Sequence, residues 1–161
     1  PLIDFVKMDI QGSELTVLKN GLDKIKDCLA IQIEVSFICL YEKQPSFGEI
    51  DIWMRSNGYV PHCFLDVKRW SIFPTIFNNN YRTPGNQLLE SDIVYVKNPL
   101  QLEELSDNQI KKFILISHYC FTSIDLTAFL IIELEKRKKL LKDSFIKYIN
   151  NVKKFINESP K

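Results

Sequence analysis

The chain has 161 residues, 45% of them hydrophobic and 25% charged, with a net charge of +1. That balance is ordinary for a soluble globular protein, and the length suits one domain with a real core and room for an appendage. The near-neutral total hides an asymmetry, because residues 131–161 hold nine basic and four acidic residues while residues 1–130 carry a net −4.

The longest apolar run, Leu126–Leu130 extended to Ile132, is too short to span a bilayer, and Pro1-Leu2-Ile3 shows no secretory or lipidation signal. A cytoplasmic location without a membrane partner is the expectation. Cys28, Cys39, Cys63 and Cys120 lack the paired close spacing of a zinc ribbon or a disulfide framework, so buried reduced thiols and no metal site are expected. His62-Cys63 and His118-Tyr119-Cys120 are two candidate ligand pairs, read first as core fillers.

The opening stretch, Ile3 to Leu15, is an apolar run that ends on Asp9, turns at Gly12 and restarts at Ser13, the pattern of strand, loop and helix. Leu15, Leu18, Leu22 and Ile25 keep helical spacing, with Gly21 as a kink or stop. Cys28 to Val35 alternates and is rich in branched residues, predicting a second strand that delivers Glu34 near its end. Strand, helix and strand at this spacing form a parallel crossover, which places the strands about 4.8 Å apart with Asp9 and Glu34 facing one crevice. Ligands of open α/β sheets lie outside the carboxyl ends of the strands, where Asp9 sits. The competing role for Asp9 is a turn cap, and for Glu34 a strand-end carboxylate bonded to loop amides.

After a loop over 36–45, Phe47, Ile50, Trp53 and Met54 form one helical face, Ser46 and Glu49 have capping-box spacing, and Asn57-Gly58 ends the helix. Strands are predicted over 59–67, with Pro61 marking an edge or irregular start, and over 91–97, before Asn98-Pro99. Between them, residues 68–90 make a long connection whose Trp70, Phe73, Phe77 and Tyr81 argue against disorder. A lid and a surface-packed loop are the two readings.

From Ser106 the pattern is helical throughout: one helix ends near Cys120, a second runs from Asp125 to about Leu141, and a third from Ser144 to Ile156. Leu141, Phe145, Ile149, Val152 and Ile156 form an apolar stripe suited to packing on the body or on a second copy, so self-association through these helices is an expected partner mode. The basic cluster at 136–139 is read as solvated helix surface, and no nucleic-acid module is present.

Ile3 to Leu15, Ile31 to Phe37, the Leu40 to Pro45 loop and Asn86 to Val96 together resemble, in order and spacing, the FkbM family of S-adenosylmethionine-dependent methyltransferases, over residues 1 to about 97. The resemblance implies a Rossmann-like class I methyltransferase fold of seven strands with the last antiparallel. It places Asp9 at the end of strand four and Glu34 at the end of strand five, with 59–67 and 91–97 as strands six and seven. The expected organisation is therefore the C-terminal half of the domain over 1–98 and a helical extension over 99–161. The glycine-rich loop and ribose-binding acid of the family's first three strands have no counterpart around Gly12, Gly21, Gly48, Gly58 or Gly85, so weak cofactor binding and an inactive segment are expected of these residues alone.

The resemblance implies S-adenosylmethionine as cofactor, a sugar or secondary-metabolite hydroxyl as acceptor, Asp9 and Gln11 beside the cofactor, Asp9 and Glu34 as catalytic residues, and Tyr41 and Gln44 on the acceptor side. Many relatives carry Glu where this chain has Gln11. Two neighbouring carboxylates holding a divalent ion is the alternative mechanism. A non-catalytic α/β scaffold with an associating helical tail is the alternative function.

Overall fold

The structure, a computed structural model, describes residues 2–80 and 82–158, with side chains to Lys154; Tyr81 and the side chain of Ile156 lie outside the described residues. The chain divides into two compact units, Pro1–Leu100 and Gln101–Lys161.

In the first unit the elements follow as β1 (Phe5–Met8), α1 (Glu14–Ile25), β2 (Ala30–Ser36), α2 (Phe47–Ser56), β3 (Tyr59–Leu65), β4 (Arg69–Trp70), β5 (Gln87–Leu88) and β6 (Glu90–Lys97). β1, β2, β6 and β3 form a four-stranded sheet in that order, giving a mixed α/β architecture. β1 and β2 are parallel, whereas β6 runs antiparallel to both of its neighbours. β4 and β5 make a separate two-stranded ribbon within the 68–90 connection.

Side chains alternate across the sheet, and Met8, Ile31, Ile33, Val35, Ile93 and Tyr95 bury one face against Leu15 and Leu18 of α1 and Ile50 and Met54 of α2. The opposite parity carries Lys7, Gln32, Glu34 and Asp92, so the helix-covered face is apolar and the polar set gathers on the other. Helix α1 runs through Gly21 without stopping, and Ile25 beyond the glycine is buried in the core. The Ser46–Glu49 capping box forms as its spacing predicts. A register shift between Pro61 and Cys63 accommodates the proline, and β3 ends at Leu65, two residues short of the predicted 67.

Tyr59 closes this core. It is fully buried, and its hydroxyl shares one proton between the carbonyls of Ile25 at 2.7 Å and Cys28 at 3.0 Å, tying the end of α1 to the start of β2. Burial pushes its phenol well above the usual tyrosine range.

The second unit contains α3 (Asp107–Tyr119), α4 (Ile124–Lys136) and α5 (Ser144–Glu158). Ser106 and Gln109 cap α3 reciprocally, and α3 and α4 meet through a buried hydroxyl pair, Ser117 with Thr127 at 2.8 Å. Helix α4 stops at Lys136, not near Leu141: Lys138 takes a left-handed φ of 58°, and the amides of Lys138 and Lys139 turn back onto the carbonyls of Glu135 and Leu134. The basic cluster after it is not a bare solvated face. Arg137 donates to the carbonyls of Leu102 and Leu105 and pairs with Glu133, while Lys139 pairs with Asp107. Among the described residues no helix is long and apolar enough to cross a membrane.

Replacing Tyr59 with Phe keeps the ring and removes the hydroxyl shared by two carbonyls, of which that of Ile25 still accepts from the Cys28 amide, a loss of about 1–3 kcal/mol. Urea unfolding followed by circular dichroism should show the midpoint falling with the slope unchanged.

Candidate active site

The loop from Asp9 to Ser13 leaves the carboxyl end of β1 through two consecutive left-handed residues, Gln11 at φ 57° and Gly12 at φ 95°. Glycine at position 12 meets two demands at once, since a Cβ there would be strained by its φ and would stand 3.3 Å from Cγ of Gln44. The loop is held from inside by Glu14. Its carboxylate, 2% exposed, accepts from the amides of Ile10 at 3.0 Å and Gly12 at 3.3 Å, whereas Ser13, where the helix was expected to start, makes no side-chain capping bond.

The parallel register pairs Met8 with Ile33, so the next residues, Asp9 and Glu34, emerge side by side at the carboxyl ends of β1 and β2. The Gln11 amide bridges them, donating to Asp9 Oδ1 at 3.0 Å and more distantly to Glu34 Oε2 at 3.4 Å. The Tyr41 hydroxyl donates to the Gln11 carbonyl oxygen, which orients that amide. Gln44 is turned inward upon its own loop: its oxygen accepts from the amides of Leu40 and Tyr41 and its nitrogen donates to Ser36 Oγ at 2.8 Å. Asp9, Gln11, Glu34 and Tyr41 thus form one hydrogen-bonded group, which Gln44 supports through the backbone of the Leu40–Tyr41 segment.

A cavity of about 180 Å³ opens at this end of the sheet, lined by Lys7, Asp9, Glu34, Asp66, Lys68 and Asp92. Gln11, Tyr41 and Gln44 stand outside that lining. Asp66 follows β3, and Asp92 is the β6 partner of Glu34, so each main-sheet strand contributes a carboxylate. Two lysines temper this charge: Lys7 pairs with Asp92 at 3.2 Å, and Lys68 lies 2.7 Å from Glu90 and 3.8 Å from Glu34. Among the described residues no group of three or more His, Cys, Asp or Glu side chains is arranged to hold a metal ion.

Burial raises the Glu34 carboxyl to about 7, helped by the charges of Glu90 and Asp9, with Lys68 opposing. The lysine is too far from Glu34 and too committed to Glu90 to reverse the balance. Glu34 is therefore a carboxylate that exchanges its proton near neutrality.

Glu14, Lys7, Asp66, Lys68 and Asp92 escaped the reading of the sequence. Side-chain parity was the usable signal for Lys7 and Asp92, and position just past a strand for Asp66; nothing local marks Lys68 as a neighbour of Glu34.

Residues 1–61 match the family model described as the methyltransferase FkbM domain. Among curated proteins and among solved structures, nothing matches the chain. The FkbM match spans β1, α1, β2, α2 and the first residues of β3, and so includes Asp9, Gln11, Glu14, Glu34, Tyr41 and Gln44. It ends before Asp66, Lys68, Glu90 and Asp92, and before the Asn86 to Val96 stretch that contributes to the resemblance.

The raised Glu34 pKa carries a stability signature. Below about pH 4.5 the group is protonated whether the chain is folded or not; between 4.5 and 7 the folded state keeps a proton that the unfolded state releases, so its contribution is lost as pH rises through 7. Glu34→Gln should accordingly be more stable than the parent above pH 7, with the gap closing as pH falls to 4.5. Thermal unfolding of both proteins across that range checks the sign.

Proposed function

We propose that this chain carries part of an S-adenosylmethionine-dependent O-methyltransferase site, acting on a hydroxyl of a sugar or secondary metabolite. The observation that carries the reading is that Asp9 and Glu34, both inside the FkbM-matching segment, open from adjacent parallel strands into one cavity. A Rossmann-like methyltransferase sheet is the fold proposed for the first unit. It is supported by β6, last in chain order, being antiparallel to both neighbours.

The donor set fits the cofactor's charge. S-Adenosylmethionine has a cationic sulfonium and an ammonium, and the cavity presents Asp9, Glu34, Asp66 and Asp92 against two lysines. When bound, the cofactor supplies an electrophilic methyl group. Asp9 holds the positive charge at the strand end, and the Gln11 amide keeps its carboxylate in place. Glu34 accepts the acceptor hydroxyl's proton, a task for which a carboxyl titrating near 7 is well matched. Tyr41, partly exposed and bonded to Gln11, faces the acceptor side, and Gln44 shapes that side through the loop it pins. Alignment of hydroxyl oxygen and methyl carbon supplies the rest of the acceleration.

Transfer of labelled methyl groups from S-adenosylmethionine to a panel of hydroxylated acceptors, using the full-length polypeptide, tests this directly. Glu34→Gln should lower kcat by about a hundredfold or more and abolish a rate increase through pH 7. Asp9→Asn turning over normally would remove that residue from the mechanism. Activity surviving exhaustive chelation is the expected outcome, and metal-dependent activity would replace the proton-acceptor role of Glu34 with a cation site.

A further inference from the structure

The connection between β3 and β6 carries an arm with several large apolar side chains exposed to solvent. At its base Arg69 pairs with Leu88 and Trp70 with Gln87, and beyond them the chain bonds to itself. Ser71 Oγ donates to the Thr83 carbonyl at 2.8 Å, the Asn80 amide to Phe77 at 2.9 Å, and the Arg82 amide to the Asn80 side chain at 2.9 Å. Gly85 lets the two sides meet, since a Cβ there would fall 2.9 Å from Cα of Ser71. These bonds tie the two sides of the arm to each other.

Its side chains are not packed down. Trp70 is 64% exposed, Ile72 68%, Phe73 88%, Ile76 55% and Phe77 44%. Five large apolar residues exposed within eight positions exceed the scattered singles of ordinary surface and mark an interaction face. Of the rings read as a lid or as surface packing, Trp70 and Phe73 stand mostly in solvent and Phe77 is partly covered, while Tyr81 lies outside the described residues. The charge on the arm has one sign: Arg69 and Arg82 fall within 67–89 and no Asp or Glu does, while Lys68 at its root is already paired with Glu90. In a chain with 20 acidic residues, a stretch of 23 residues without one is complementary to a negative partner.

We propose that the arm over residues 69–88 seats the protein on an anionic lipid surface. Indole and phenyl rings partition into the headgroup region, and arginines meet lipid phosphates. The expectation of no membrane partner rested on the lack of a spanning run, and a surface-seated arm needs none.

Cosedimentation of the unmodified protein with phosphatidylcholine vesicles, with and without phosphatidylglycerol, is the primary measurement. Binding is expected to the anionic vesicles, weakening with salt, and to drop about tenfold or more in Arg69→Glu/Arg82→Glu and in Ile72→Ser/Phe73→Ser. The chain has two tryptophans, so Trp53→Phe leaves Trp70 as reporter, and its emission should shift to the blue on anionic vesicles alone. No cosedimentation at low salt, equal binding to neutral vesicles, or anionic binding undiminished by both double substitutions overturns the proposal; the last would point to the basic helix α5.

Discussion

The parallel pairing of β1 with β2 is the constraint on which the rest of the site depends. Because Met8 stands beside Ile33, the side chains one step further along must emerge together, and those are two acids. A one-residue slip would turn the apolar set Met8, Ile31, Ile33 and Val35 away from α1 and α2. The hydrophobic core therefore enforces the meeting of Asp9 and Glu34, and the cost of placing two carboxylates together is borne by burial that occurs on the other side of the sheet. Gln11 and Lys68 lessen that cost locally, while the upward shift of Glu34 shows that they do not cancel it.

The sheet edge extends this logic. Antiparallel β6 brings its amino end to the carboxyl ends of β1, β2 and β3, so Glu90 and Asp92 arrive where Asp9, Glu34 and Asp66 already are. Acids at strand ends are ordinary; acids from four strands at one opening concentrate negative potential where a cation would be drawn. Lys7 and Lys68 keep the cluster compatible with folding.

Much of this arrangement was legible in the sequence because its signals are local. Ser46 with Glu49 and Ser106 with Gln109 state their capping boxes in four residues, and alternating apolar positions mark β2 and β6. Asp9 and Glu34 were visible as acids ending apolar strands. Glu14 was not, because an acid in a helix's first turn suits the dipole anyway, and only the fold shows its carboxylate turned back to the loop amides. The end of α4 was misjudged for a related reason: the left-handed position is filled by Lys138 in place of the usual glycine. Asp92 reaches the site through an antiparallel partner 58 positions distant from Glu34 in sequence, a relation no periodicity within either strand contains.

The Glu14 clasp has a consequence for how long the site stays assembled. One carboxylate belongs to the first turn of α1 and also holds the amides of Ile10 and Gly12, so fraying of that turn and loosening of the Asp9 loop are a single event. The lifetime of the acid pair is then bounded by a local opening equilibrium of one helix end, well below global unfolding in cost. Hydrogen exchange at those two amides is a clock for the order of the whole cavity mouth.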